Sequence, residues 1–146
     1  MKVIINIGIP AAGKSTWTKK FIESNDYFRI NCDDIRLMLK NKPFLNDDES
    51  LVWNLFYQML YVVLDNNKNV VIDNTNCNYK LFTALMIKLK EFNADISINY
   101  FDISLDEAIL RDSKRENPVG VGVIARMHDN YINLKEQISN SNFNFT

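Results

Sequence analysis

Glycine and proline are scarce in this sequence, with four glycines and three prolines among 146 residues. That leaves little material for a flexible linker, and neither an internal repeat nor a low-complexity tract interrupts the chain. Residues 1–146 therefore read as a single domain, and a domain of roughly 150 residues buries about 70% of the surface its unfolded chain exposes. Cysteine is scarce too. Cys32 and Cys77 lack zinc-type C-x-x-C spacing, which excludes a disulfide scaffold and fits free thiols in a reducing, cytoplasmic compartment. No apolar run approaches the roughly 18 residues that span a bilayer, so a membrane role has no support. The apolar start, Met1 to Gly8, is too short for a signal peptide and lacks its small-residue cleavage site. Charge of one sign is missing as well: the net charge is −1 and the pI about 5.8. A global basic footprint on nucleic acid is thereby excluded, and any such contact must be local. The single histidine, His128, has no metal-ligand partner in sequence and reads as a surface residue.

What remains is an ordinary globular composition, 47% hydrophobic and 24% charged. Short β-rich runs at Val3 to Ile7, Phe28 to Ile30, Val70 to Ile72 and Ile96 to Phe101 alternate with segments of helical spacing. Helices are expected over Ser15 to Glu23, Asp33 to Lys40, Leu105 to Ser113 and Val123 to Leu134. Two more are carried by Trp53, Tyr57, Leu60, Tyr61 and Leu64, and by Leu81, Leu85 and Leu89. Alternating strands and helices imply βαβ units: an α/β three-layer sandwich with a central parallel sheet of four to five strands. The aromatic residues Trp53, Phe56, Tyr57 and Tyr61 could stack on bases, but at helical spacing they read first as core.

Gly8-Ile9-Pro10-Ala11-Ala12-Gly13-Lys14-Ser15 fits G-x-x-x-x-G-K-[ST] between an apolar strand and a helix, the context this motif requires. Glycines let the backbone curl so that successive N–H groups face phosphate oxygens, and the helix start adds partial positive charge. The predicted nucleotide-binding set is Gly8, Ala11, Ala12, Gly13, Lys14, Ser15 and Thr16. Lys14 would reach the β- and γ-phosphates of ATP or another nucleoside triphosphate, and the Ser15 hydroxyl would ligate Mg2+.

The next strand, ending Ile30-Asn31-Cys32-Asp33-Asp34-Ile35-Arg36, delivers two carboxylates and an arginine to the sheet edge that faces the ligand crevice. Asp33 could accept the proton of an attacking hydroxyl, with Arg36 orienting it; alternatively Asp33 or Asp34 simply caps the helix. Val70-Val71-Ile72-Asp73-Asn74 ends in an acid that could bind Mg2+ or form an Asx turn. Arg111-Asp112-Ser113-Lys114-Arg115 ends a helix before Pro118. It could fold over ATP as a helical lid that brings Arg111 or Arg115 to the phosphates, or serve only as a solvated helix end whose cations complement the dipole.

Taken together, GIPAAGKSTW, INCDDIR, VIDNTN, FDIS and RDSKR resemble, in order and spacing, the kinase domain of phage polynucleotide 5′-hydroxyl kinases, over nearly the whole chain. The resemblance implies an ATP-dependent, Mg2+-dependent transfer of the γ-phosphate to the 5′-OH end of DNA or RNA, in the host cytoplasm if the chain is viral. It implies Asp33 as general base, Arg36 on the acceptor, Lys14 on phosphate, Ser15 on Mg2+, and Arg115, with Arg111, on the ATP phosphates. Two departures stand out. Cys32 occupies a place that is basic in the relative, and Asp73 lies one position before its acid, so Asp73 and Asn74 both remain candidates. Homo-oligomerisation is left open. Because no D-x-D nucleophile motif is present, a kinase without a 3′-phosphatase is expected; the rival reading is a P-loop kinase for a nucleoside, nucleotide or sugar.

Overall fold

The computed structural model describes residues 1–141. Four strands, β1 (Lys2–Ile7), β2 (Phe28–Ile30), β3 (Val70–Ile72) and β4 (Asp95–Tyr100), form one parallel sheet in the order β2-β3-β1-β4. Val70, Val71 and Ile72 are all fully buried, as a central strand covered on both faces requires, and Val3, Ile5 and Ile7 are buried beside them. The parallel sheet expected from the alternation is present, with four strands.

Six helices surround it: α1 (Lys14–Glu23), α2 (Cys32–Lys40), α3 (Glu49–Asp65), α4 (Tyr79–Lys90), α5 (Leu105–Ser113) and α6 (Val121–Asn140). The chain leaves β1 outward to β2, then returns through β3 and passes β1 to reach β4. Right-handed crossovers place α1 on one face and the helices that follow β2 and β3 on the other, giving three layers. The direction of travel reverses between β1 and β3, and the loops leaving those two strands open the crevice where α/β sheets hold ligands.

Helix α6 runs past the expected Leu134 because Ile138 extends the buried stripe of Ile124, Tyr131 and Leu134. Polar Lys135, Glu136 and Gln137 mask that continuation in the sequence. The aromatic residues of α3 do serve the core: Phe56 is buried, and Trp53 and Tyr57 pack against it. Truncating Phe56 to alanine should cost about 3–5 kcal/mol. No described helix is long and apolar enough to cross a membrane.

Candidate active site

The loop between β1 and α1 is shaped by its small residues. A β-carbon on Gly8 would lie 2.9 Å from Phe101 Cβ, and Gly13, the residue before α1, has φ +94°. Ala11 also lies in the left-handed region, at φ 64°, where an L-residue is strained by about 1–2 kcal/mol. The Gly8 amide donates to Thr75 O at 3.1 Å and so ties this loop to the one that leaves β3. Thr18 Oγ1 donates to Lys14 O at 2.9 Å and accepts from Asn6 Nδ2 at 2.7 Å, which fastens the first turn of α1 to β1.

Lys14 is buried, and its ammonium donates to Ile9 O at 2.8 Å across the loop. Burial pushes its pKa below the usual lysine value; Cys77, Asp73 and Asp33 oppose the shift and Arg115 reinforces it. Residues far apart in sequence, Asp33, Asp73 and Arg115 among them, thus contribute to the electrostatics of one ammonium. Ser15 and Thr16 follow on the first turn of α1, half-buried and exposed respectively.

The ends of β2 and β3 are cross-tied. Arg29 Nε donates to Asp73 Oδ2 at 2.7 Å, and its Nη1 pairs with Asp34. The Asp73 side chain is fully buried and its second oxygen, Oδ1, has no partner. Neither capping reading holds: the cap of α2 is Asn31, whose Oδ1 accepts from the Asp34 amide at 2.9 Å while its Nδ2 bonds Asp73 O. Asn74 Oδ1 accepts from the Cys32 amide at 2.9 Å and is therefore already engaged. The unpartnered oxygen belongs to Asp73 and not to Asn74. Burial drives the Cys32 thiol up to about 12, so it is no nucleophile.

Released from capping, Asp33 stands exposed on the first turn of α2, with its side chain 73% accessible. Its Oδ1 accepts from Arg36 Nη1 at 2.7 Å. Arg36 is forked onto Glu49, through Nε to Oε1 at 2.9 Å and Nη2 to Oε2 at 2.7 Å, and is only 13% exposed. That hydrogen bonding holds Glu49 below the usual carboxylate range.

The basic segment after β4 hangs on an acid. Asp112 is 2% exposed and accepts from the amides of Val119 at 3.1 Å and Gly120 at 3.0 Å, with Arg115 at 3.4 Å. Burial would raise its pKa, but those amides and Arg115 hold it below the usual value. Arg115 lies beyond the helix end beside Asp112 and acts on the Lys14 charge, whereas Arg111 is paired with Glu107 one turn back, at 2.7 Å. Of the expected site residues, Asp33 and Arg36 are paired directly, Asp33, Asp73 and Arg115 act electrostatically on Lys14, and Arg111 is paired with Glu107 instead.

Four partners were not foreseen from sequence: Arg29, Asn31 in its capping role, Glu49 and Asp112. Arg29 carried a signal, a charged residue inside a three-residue strand beside two acids, and Asp112 carried one as a lone acid among bases. Glu49 carried none.

Among the described residues no three His, Cys, Asp or Glu side chains form a metal cage. Magnesium needs none, since one or two protein oxygens, phosphates and water complete its octahedron. Asp73 Oδ1 and the Ser15 hydroxyl are the donors that could hold it, and a buried carboxylate oxygen without a partner fits that use.

A parallel sheet whose first strand runs through a glycine-bounded loop into a buried lysine, with acids closing the next two strands, is the architecture of a P-loop kinase fold. The chain belongs to the AAA domain family, which it matches from residue 3 to residue 134. It is 25% identical, over 91% of its length, to a protein of Autographa californica nuclear polyhedrosis virus named as a bifunctional polynucleotide kinase/RNA ligase. It spans 21% of that relative. Its structure resembles a chain of the Pnkp1/Rnl/Hen1 RNA repair complex, with TM-score 0.85 and 27% identity, covering 93% of this chain and 45% of that one. A deoxyadenosine kinase from M. mycoides, 19% identical with TM-score 0.57, covers 95% of this chain and 86% of its own, and shares the fold.

Proposed function

We propose that this chain is a polynucleotide 5′-hydroxyl kinase, transferring the γ-phosphate of ATP to the 5′-OH end of DNA or RNA with Asp33 as general base. The observation that carries this is the placement of Asp33: exposed at the start of α2, excluded from helix capping by Asn31, and held by Arg36. A carboxylate so placed accepts the proton of the hydroxyl as its oxygen bonds in line to the γ-phosphorus and the bond to the β,γ-bridging oxygen breaks, releasing ADP. Lys14 and Arg115 stabilise charge on the transferring oxygens, Arg36 orients the acceptor, and Ser15 and Asp73 hold Mg2+. Bound there, magnesium would supply positive charge to offset that of the phosphates. Gly8, Ala11, Ala12, Gly13 and Thr16 line or follow the phosphate loop, and Arg111 would join the donor only by leaving Glu107.

The relatives supply the acceptor class, since both the viral protein and the repair complex are named for polynucleotide chemistry. The test is transfer of labelled γ-phosphate, with Mg2+, to a 5′-OH oligonucleotide beside a panel of nucleosides and sugars. Label on the oligonucleotide, weakening as salt rises, is the expected result, because strand contacts release counterions. Label on nucleosides or sugars alone would overturn the acceptor assignment.

A further inference from the structure

Between α2 and α3 the chain passes through Pro43-Phe44-Leu45. Leu45 is buried at 7% exposure, and its amide donates to Glu49 Oε1 at 3.0 Å. The same oxygen accepts from Arg36 Nε, so one carboxylate fixes both this segment and the arginine that holds Asp33. Phe44, immediately before that anchor, is 57% exposed, and its ring centre lies 6.0 Å from the Arg36 guanidinium. Other exposed apolar side chains, such as Val62 and Ile87, sit on long helices away from this cluster. Leu37 and Met38 are exposed on α2 as well, but Phe44 is the exposed aromatic ring that lies over Arg36.

We propose that Phe44 is the stacking platform for the 5′-terminal nucleobase of the acceptor strand. The inference rests on the 5′-kinase reading above. If the terminal O5′ lies at Asp33, the sugar falls over Arg36 and the base a sugar's width further on, where the Phe44 ring is. Every base has a π-face, so such a platform accepts any sequence. It also suits a chain of net charge −1, which has no surplus of cations with which to grip a strand. The contact is made by substrate and transition state alike and so acts on binding rather than on the chemical step.

The test compares two 5′-OH oligonucleotides, identical except that one has an abasic 5′-terminal sugar. Phe44→Ala is expected to raise the KM for the intact end by about 5- to 150-fold, with kcat nearly held. On the abasic end the substitution should cost nothing further, Phe44→Tyr should behave as the parent, and the KM for ATP should not move. Equal losses on both oligonucleotides would overturn the proposal, since Phe44 would then act through Arg36 or the loop. No loss on either would also overturn it, and so would a shift confined to ATP, which would assign the ring to the adenine of the donor. A parent enzyme that phosphorylates neither oligonucleotide refutes the kinase reading itself, a failure distinct from these.

Discussion

The two sides of the crevice are built differently. On the β2–β3 side, Arg29 and Asn31 are bonded to Asp73, Arg36 to Glu49 and Asn74 to the Cys32 amide, with the two arginines only 12% and 13% exposed. On the α5–α6 side, Arg111 and Arg115 stand about half exposed, and the segment is held chiefly by Asp112. The first side is set before any substrate arrives. The second keeps its cations in water, where they can be drawn to phosphate without breaking a core. On the proposed reading, the paired and buried residues hold a fixed geometry and the loosely paired ones follow the charge that moves in transfer.

The sharpest way to break this comparison is at Asp33, which stands exposed on the rigid side. Asp33→Asn should lower transfer by about 100- to 10,000-fold, as for loss of a general base. The unfolding midpoint should hardly change, because Asn31 and not Asp33 caps the helix. Next comes the buried pair: Arg29→Met leaves Asp73 as an uncompensated buried charge, and breaking such a pair costs about 3–5 kcal/mol. Asp73→Asn made in the Arg29→Met background should recover much of that loss, which a thermal or urea melt in EDTA would show. On the looser side, Asp112→Asn should cost about 1–3 kcal/mol, because one of the two backbone amides then faces an NH2 in place of its acceptor. It should also raise the KM for ATP more than that for the acceptor. Asn31→Ala should cost about 0.5–2 kcal/mol as a lost helix cap. Arg111→Ala, which breaks only an exposed pair one turn apart, should change stability by no more than about 0.5 kcal/mol.

Acid should expose the same contrast. Hydrogen bonding from Arg36 holds Glu49 below the usual carboxylate range, and amides hold Asp112 there against the opposing effect of burial. Their native pKa values lie below the unfolded ones, so their stabilisation is complete above roughly pH 4–5 and is lost as pH falls through the native values. A Glu49→Gln variant should therefore show a shallower loss of stability below about pH 4 than the parent.

Much of the fold was legible, because the β-rich runs of β1 and β3 and the apolar periodicity of α3 and α4 are local signals. The order of the strands was not, since nothing in three-residue β2 states which neighbour it will take. The phosphate loop was legible for the same reason that it works: its glycines are required by backbone conformation at the spot itself. The cap of α2 was not legible because Asn31, Asp33 and Asp34 can all cap, and only the path of the chain out of β2 selects the first. Glu49 stayed invisible because its bond to Arg36 joins two helices that meet only after folding. Arg111 and Arg115 look equivalent in sequence, yet one pairs back along its helix and the other sits beyond the helix end, where it can face Lys14.

The measurement that tests the account most directly is γ-phosphate transfer from ATP to a 5′-OH oligonucleotide by the parent and by Asp33→Asn, with the unfolding midpoint of each taken alongside. The account predicts labelled oligonucleotide from the parent, a loss of about 100-fold or more in the variant, and matching midpoints. Equal rates, or a variant slower only in proportion to a lost fold, would contradict it.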